Sequence, residues 1–133
     1  MFSHLCIGVN DFDRAFTFYS AIAKILGLEL KFSDSERAWA GWQRPAIPRP
    51  LLVIGKPLDG QIATAGNGQM VALLADNRTQ IEHVYQAALK HGATCEGPPG
   101  LRPHYHEHYF GAYFRDPDGN KLCVCCHQPD ADS

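Results

Sequence analysis

The chain has 133 residues, 45% hydrophobic and 20% charged, the size of one domain that buries about two thirds of its unfolded surface. Twelve Lys+Arg against fourteen Asp+Glu leave a formal charge of -2, so no basic field is available to hold nucleic acid or an anionic lipid surface. No apolar run approaches the roughly 20 residues of a membrane helix, and the opening Met1-Phe-Ser-His4 lacks the cationic start of a secretory leader, which predicts a cytoplasmic protein with no membrane partner. Five cysteines, three of them crowded at Cys123, Cys125 and Cys126, suit reduced, packed thiols better than a disulfide framework.

Residues 4–9 spell a short strand. Asn10 or Asp11 can cap a following helix whose apolar positions Phe12, Ala15, Phe16, Tyr19, Ala23 and Leu26 keep helical spacing until Gly27 stops it. Strands are expected at 28–33, 37–43 and 51–54, and the Gly-rich segment 55–69 is a linker. The order then repeats: a strand at 70–75, a cap at Asp76 or Asn77, and a helix carrying Ile81, Val84, Tyr85, Ala88 and Leu89 before Gly92. Strands at 94–96, 109–115 and 121–126 follow, the last two joined by the turn Asp116-Pro-Asp-Gly119. Residues 97–108 read as a long loop carrying His104, His106 and His108, and loops of that length often serve function. Superposing His4 on Met70 also superposes Tyr19 on Tyr85, so each half reads strand, helix, strand, strand, strand.

One helix per half cannot cover both faces of a sheet, so the pattern predicts an α+β fold in which each sheet packs its helix on one face and turns the other toward a cavity or a partner module. Alternation then assigns side chains. Leu5, Ile7 and Val9 meet the helices while His4, Cys6 and Gly8 oppose them; Val71 and Leu73 pack while Met70, Ala72 and Leu74 oppose; Leu122, Val124 and Cys126 pack while Cys123 and Cys125 face the cavity.

The doubled unit, His4 in the opening strand and the segment Phe114-Arg-Asp-Pro-Asp-Gly-Asn-Lys-Leu122 together resemble the vicinal oxygen chelate superfamily, which includes glyoxalase I, bleomycin-resistance proteins and extradiol dioxygenases. Gly66-Asn-Gly68 before the fifth strand and the run from Pro99 to His106 before the seventh support the likeness, which covers nearly the whole chain. It implies a single domain, residues 1–133, built of two βαβββ modules at about 1–57 and 68–127 that form a curved mixed sheet around a cavity. Metal-using members hold a divalent ion with a His on the first strand, a His or similar ligand on the fifth and a Glu on the last. The matching positions here are His4, Met70 and Cys123, and only His4 carries the family's residue type; a further ligand position falls near 52–54, where no side chain can ligate.

A metal that polarises neighbouring substrate oxygens wants imidazole and carboxylate donors, whereas Met70 and Cys123 shift the preference toward soft ions and remove the carboxylate that can move a proton. The resemblance therefore implies a protein that binds a small organic molecule in the cup of its sheet, lyase-like, isomerase-like or ring-opening if it catalyses, with a degenerate divalent-metal site and without ordinary glyoxalase I activity. The alternative is a non-catalytic protein that sequesters a drug or toxin. A homodimer is the implied assembly in either case.

The expected ligand-binding residues are His4, Met70, Cys123, Trp39, Tyr105, Tyr113, His106 and Arg102, with His4 the one metal ligand of the family type. The aromatic residues offer apolar walls, and Trp39 and Tyr113 lie opposite the helix-packed faces. Arg102 can grip an anion. A reactive Cys123 requires a neighbour such as His4 or Lys121 to lower its pKa. His104, His106 and His108 share one face if extended, making His106 and His108 alternative metal ligands, whereas the run Cys123, Cys125, Cys126, His127 is too closely spaced for a zinc site and reads as core packing.

Overall fold

Two four-stranded mixed sheets, each carrying one helix, make up the structure, a computed structural model that describes residues 1–130; residues 131–133 of the expected domain lie outside the described residues. The first half runs β1 (His4–Gly8), α1 (Phe12–Ile25), β2 (Glu29–Asp34), β3 (Trp39–Arg44) and β4 (Ile47–Gly55). The second runs β5 (Val71–Leu74), α2 (Arg78–Lys90), β6 (Thr94–Leu101), β7 (Phe110–Arg115) and β8 (Lys121–Cys126). Strand orders are β1-β4-β3-β2 and β5-β8-β7-β6, with β1 parallel to β4, β5 parallel to β8 and every other pair antiparallel.

Both helices start on side-chain caps. Asp11 accepts from the amide of Arg14 at 3.1 Å, and Asn77 accepts from the amide of Gln80 at 2.8 Å. Gln80 answers by accepting from the Asp76 amide at 2.6 Å, a reciprocal arrangement that satisfies another N–H at the helix start. The stops are Gly27 and Gly92, at φ 72° and 102°, a conformation that costs a side-chain-bearing residue energy.

Two segments depart from the sequence reading. The expected loop 97–108 is shorter, because β6 continues through Pro98 and Pro99 to Leu101. It is an edge strand with register shifts between Cys95 and Gly100, so a missing proline N–H leaves no partner unpaired. Likewise β4 starts at Ile47, ahead of Pro48 and Pro50, because its pairing with β1 begins only at Leu51.

The core is continuous across the halves. Phe18, Tyr19 and Ile22 of α1 and Ile81, Val84 and Ala88 of α2 are buried with Ile54 from the first sheet and Phe114, Leu122 and Val124 from the second. Phe18 of the first half meets Phe114 of the second edge-on, with ring centroids 6.3 Å apart. The helix-packed faces of both sheets thus share one interior, and the opposite faces turn away from it.

The turn between β7 and β8 fastens the halves together. Asp116, 3% exposed, accepts from the amides of Asp118 and Asn120 at 2.9 Å each, from Asn120 Nδ2 at 2.9 Å and from the Tyr19 hydroxyl at 2.6 Å. Asn120 Nδ2 also donates to the Gly8 carbonyl at 2.9 Å, and Asp118 accepts from the Asn10 amide at 3.1 Å and pairs with Arg14 at 3.2 Å. A carboxylate can be buried this deeply because its oxygens are met by donors.

The two sheets are not hydrogen-bonded into one. Between their β1 and β5 edges opens a cleft of about 890 Å³ whose lining includes Leu5, Trp42, Leu51, Met70 and Leu74. Among the described residues no helix is long and apolar enough to cross a membrane.

Candidate functional site

Period-two alternation along β8 sends Leu122, Val124 and Cys126 into the core and places Lys121, Cys123 and Cys125 on the opposite face, with His127 next in that row. On β7, Tyr113 stands opposite Cys123 and Gly111 opposite Cys125. Gly111 is what lets the Tyr109 ring lie across the sheet: a Cβ there would sit 3.1 Å from Tyr109 Cε1 and 3.3 Å from Cys125 Cβ. Glycines do the same for Arg102, whose guanidinium nitrogens lie 3.1 Å from where a Cβ on Gly97 or Gly100 would be.

Arg102 is anchored by donating to the Pro98 carbonyl at 2.8 Å, and its guanidinium carbon lies 5.5 Å from the Tyr113 ring centroid. The Lys121 ammonium lies 5.8 Å from the same ring. Among the described residues neither cation has a carboxylate partner. Two cations thus flank one aromatic ring with their charge unneutralised, an arrangement that suits a planar anion.

Beside them runs a polar row in two hydrogen-bonded stretches. The Tyr109 and Tyr113 hydroxyls are 2.9 Å apart, and Tyr109 Oη lies 3.5 Å from Cys123 Sγ. Cys125 Sγ is 3.8 Å from His127 Nε2, His127 Nδ1 is 2.9 Å from His106 Nε2, and the His108 amide donates to His106 Nδ1 at 3.2 Å. The neighbouring Cys125 thiol, with help from Tyr109, Tyr113 and the charge of Arg102, lowers the Cys123 pKa to about 7 despite burial. Cys125 moves the other way, pushed well up by its neighbour Cys123 and by burial, so the pair releases one proton readily and holds the second. Burial raises both phenols.

Of the residues expected from sequence, the fold brings Cys123, Tyr113 and Arg102 together. Tyr105 and His106 sit at the rim of this cluster, their ring centroids 5.0 and 5.6 Å from that of Tyr109. Met70 lines the cleft between the sheet edges instead. His4 is exposed, its Nδ1 2.9 Å from Ser3 Oγ. Trp39 belongs to the first sheet, where its ring lies 4.6 Å from that of Phe32 and beneath Arg37.

The expected activation of Cys123 by His4 or Lys121 is replaced by activation from Cys125, Tyr109, Tyr113 and Arg102, because His4 lies on the other sheet and the Lys121 ammonium sits at the Tyr113 ring. The histidine run is not an extended strand either; residues 102–109 turn, and His106 folds back onto His127.

Tyr109, Cys125, His127 and Lys121 were not among the expected binding residues. Their signal was the same alternation that marks Cys123: positions 121, 123, 125 and 127, and positions 109, 111 and 113, each fall on one face. Among the described residues no group of three or more His, Cys, Asp and Glu side chains could hold a metal ion. One imidazole, a thioether and a thiol at the resembled ligand positions do not fit a hard divalent ion.

A family model for the Glyoxalase/Bleomycin resistance protein/Dioxygenase superfamily matches residues 1–124. A glyoxalase/bleomycin resistance protein from Albidiferax ferrireducens is 36% identical, with 94% of this chain and 98% of that chain covered and a TM-score of 0.84. A glyoxalase/bleomycin resistance protein/dioxygenase family enzyme from Burkholderia phytofirmans, 18% identical with 95% and 98% covered and a TM-score of 0.68, shares the fold. So does a hypothetical protein from S. aureus, 19% identical with 94% and 91% covered and a TM-score of 0.65. No curated protein matches the chain.

Proposed function

Because the chain belongs to the glyoxalase/bleomycin resistance protein/dioxygenase superfamily yet carries a thioether and a thiol at two of the ligand positions it resembles, we propose that it binds a small planar organic anion through the helix-free face of its second sheet, without a divalent metal. The observation that carries this reading is the pair of unneutralised cations, Arg102 and Lys121, set 5.5 and 5.8 Å from the Tyr113 ring centroid. Tyr105 and Tyr109 extend the aromatic surface beside that ring, and the paired hydroxyls of Tyr109 and Tyr113 supply the polar contacts that orient a ligand. Holding the molecule is the primary activity in this reading, and metal-dependent lyase, isomerase or ring-opening chemistry is what the donor set favours least.

A second copy of the chain completes the site's surroundings in this proposal. Phe2, Met70 and Leu74, exposed by 55%, 42% and 68%, border the cleft between the free β1 and β5 edges, and a homodimer would cover them. Light scattering coupled to size exclusion tests the assembly.

Titration calorimetry with aromatic sulfonates and benzoates, with and without a chelator, tests the binding. Affinity that is indifferent to the chelator and weakened about tenfold, roughly 1.4 kcal/mol, by Arg102→Ala supports the proposal. Binding that requires an added divalent metal, or that ignores both Arg102→Ala and Tyr113→Ala, refutes it.

A further inference from the structure

A neutral imidazole has one donor nitrogen and one acceptor nitrogen, whereas a charged one has two donors. In the turn-rich segment before β7 that rule fixes two rings at once. A backbone N–H can only donate, so the His108 amide, 3.2 Å from His106 Nδ1, makes that nitrogen an acceptor. The His106 proton then sits on Nε2, which donates to His127 Nδ1 at 2.9 Å. His127 keeps its own proton on Nε2, the nitrogen turned toward Cys125 Sγ. The two rings stack, with centroids 5.2 Å apart and planes at 28°. Both nitrogens able to take up a further proton are thus already in use as acceptors, and neither nitrogen of His106 is free for the metal that sequence spacing suggested.

From this closed set of bonds we infer that the His106 and His127 pair is a latch released by mild acid, holding the tip 103–108 against the end of β8 only while both rings are neutral. Release is stepwise. One added proton can be carried with the bond between the rings kept, but it always evicts the His108 amide. If His106 takes the charge, both of its nitrogens hold protons; if His127 takes it, His127 can only donate, so His106 accepts at Nε2 and holds its proton on Nδ1. A second proton leaves no acceptor between two stacked cations, and the rings part.

The surroundings do not offset that charge. On the segment itself stand His104, Tyr105, Glu107, His108 and Tyr109, and the Glu107 carboxylate pairs with His108 at 3.7 Å. From β8 comes Cys125, which keeps its proton and so brings no charge. Beyond that strand Asp130 lies 4.0 Å from Arg78. The cleft that His127 borders brings Cys126 and two opposite charges, Arg44 and Asp76. Among the described residues neither ring of the pair has a carboxylate within ion-pair distance.

The base of the segment is fastened separately, by the Arg102 amide donating to the Tyr109 carbonyl at 2.9 Å, so acid frees the tip and leaves the strands paired. Tyr105 travels with the tip, and its ring, 5.0 Å from that of Tyr109, forms part of the rim of the helix-free face. Acid therefore opens that rim, a change of shape that stands whether or not an anion binds there.

The test is NMR on the isotope-labelled full chain between pH 8 and 5, the range in which histidine changes charge. At pH 8 the His106 and His127 rings should show mutual proton contacts, and the His108 amide should exchange slowly relative to its intrinsic rate at that pH. On acidification the His108 protection should fall first, by about fivefold, and the contacts between the rings should vanish later. All the substituted side chains but that of His108 are exposed, and His108 contributes its amide rather than its ring. His127→Phe keeps a ring against His106 without an acceptor, so its ring contacts should no longer depend on pH. A chain carrying both His104→Gln and His108→Gln keeps every atom of the latch and should keep both steps. Ring contacts that persist at pH 5, a His108 amide indifferent to pH, the reverse order of events, or a response abolished by the paired glutamine substitutions overturns the inference.

Discussion

Tyr19→Phe deletes a single hydroxyl from the buried joint between the two halves. That hydroxyl donates to Asp116 Oδ2 at 2.6 Å, while the ring packs 5.0 Å from Phe18 and 6.4 Å from Trp42, contacts a phenylalanine keeps. Three other donors, the amides of Asp118 and Asn120 and the Asn120 side chain, still reach the carboxylate, so the charge is weakened in its support rather than orphaned. A buried hydrogen bond to a charged group contributes about 1.5–3 kcal/mol, which puts the expected loss near 2 kcal/mol. Urea titration should show a lower midpoint at unchanged slope, since the surface exposed on unfolding is the same.

Burial and Asp116 hold the Tyr19 pKa well above its ordinary value. Its contribution is therefore fully present below pH about 10 and declines above it, as the unfolded chain releases a proton that the fold retains. Tyr19→Phe lacks that decline. Asn120→Ala, which removes a second donor to Oδ2 and the tie to Gly8, should couple to Tyr19→Phe by at least about 0.5 kcal/mol in a double-mutant cycle, because both act on one oxygen. A loss for Tyr19→Phe under about 0.5 kcal/mol, or strict additivity, would refute the account of Asp116 as the fastening between the halves.

Two further outcomes test other parts of the molecule. A Cβ on Gly41 would lie 2.5 Å from Phe32 Cε1, so Gly41→Ala should displace that ring, shift the fluorescence of Trp39 beside it and cost about 1–3 kcal/mol; unchanged emission would show that Phe32 does not lie there. The thiol pair should give stability a maximum in pH. Cys123 ionises in the fold at about 7, so stability rises from there to about 8.5, where unfolded thiols ionise. Above that it falls, because the fold retains the Cys125 proton that the unfolded chain loses. Thermal unfolding in reductant at stepped pH reads this out, and Cys123→Ser should abolish the rise.

Much of the fold was legible because its causes are local. Helical spacing, cap residues and stopping glycines act within a few residues, and Asp11, Asn77, Gly27 and Gly92 occupy the roles their chemistry suggests. The extension of β6 through two prolines was not legible, since it depends on the strand lying at a sheet edge. The site divides the same way. Strand parity placed Cys123, Cys125 and Tyr113 on a common face, because pleating is a local property. Parity cannot say which faces share space: Trp39 has the expected orientation but stands on the other sheet, and Ala72, two residues beyond Met70, is the residue beside Cys123. The contact of His106 with His127 and the lodging of Arg102 over Gly97 and Gly100 arise from how the 102–109 segment turns, which no periodicity encodes.

The Asp116 turn has an implication for how chemistry can change on this scaffold. It bolts the halves together at the very entrance to β8, through backbone amides and three polar side chains, and draws nothing from the row Lys121, Cys123, Cys125 and His127 that follows. The joint between the halves and the row facing away from the core occupy adjacent stretches of the same strand but use different atoms. Side chains on that row can therefore be exchanged without touching the hydrogen bonds that hold the halves together.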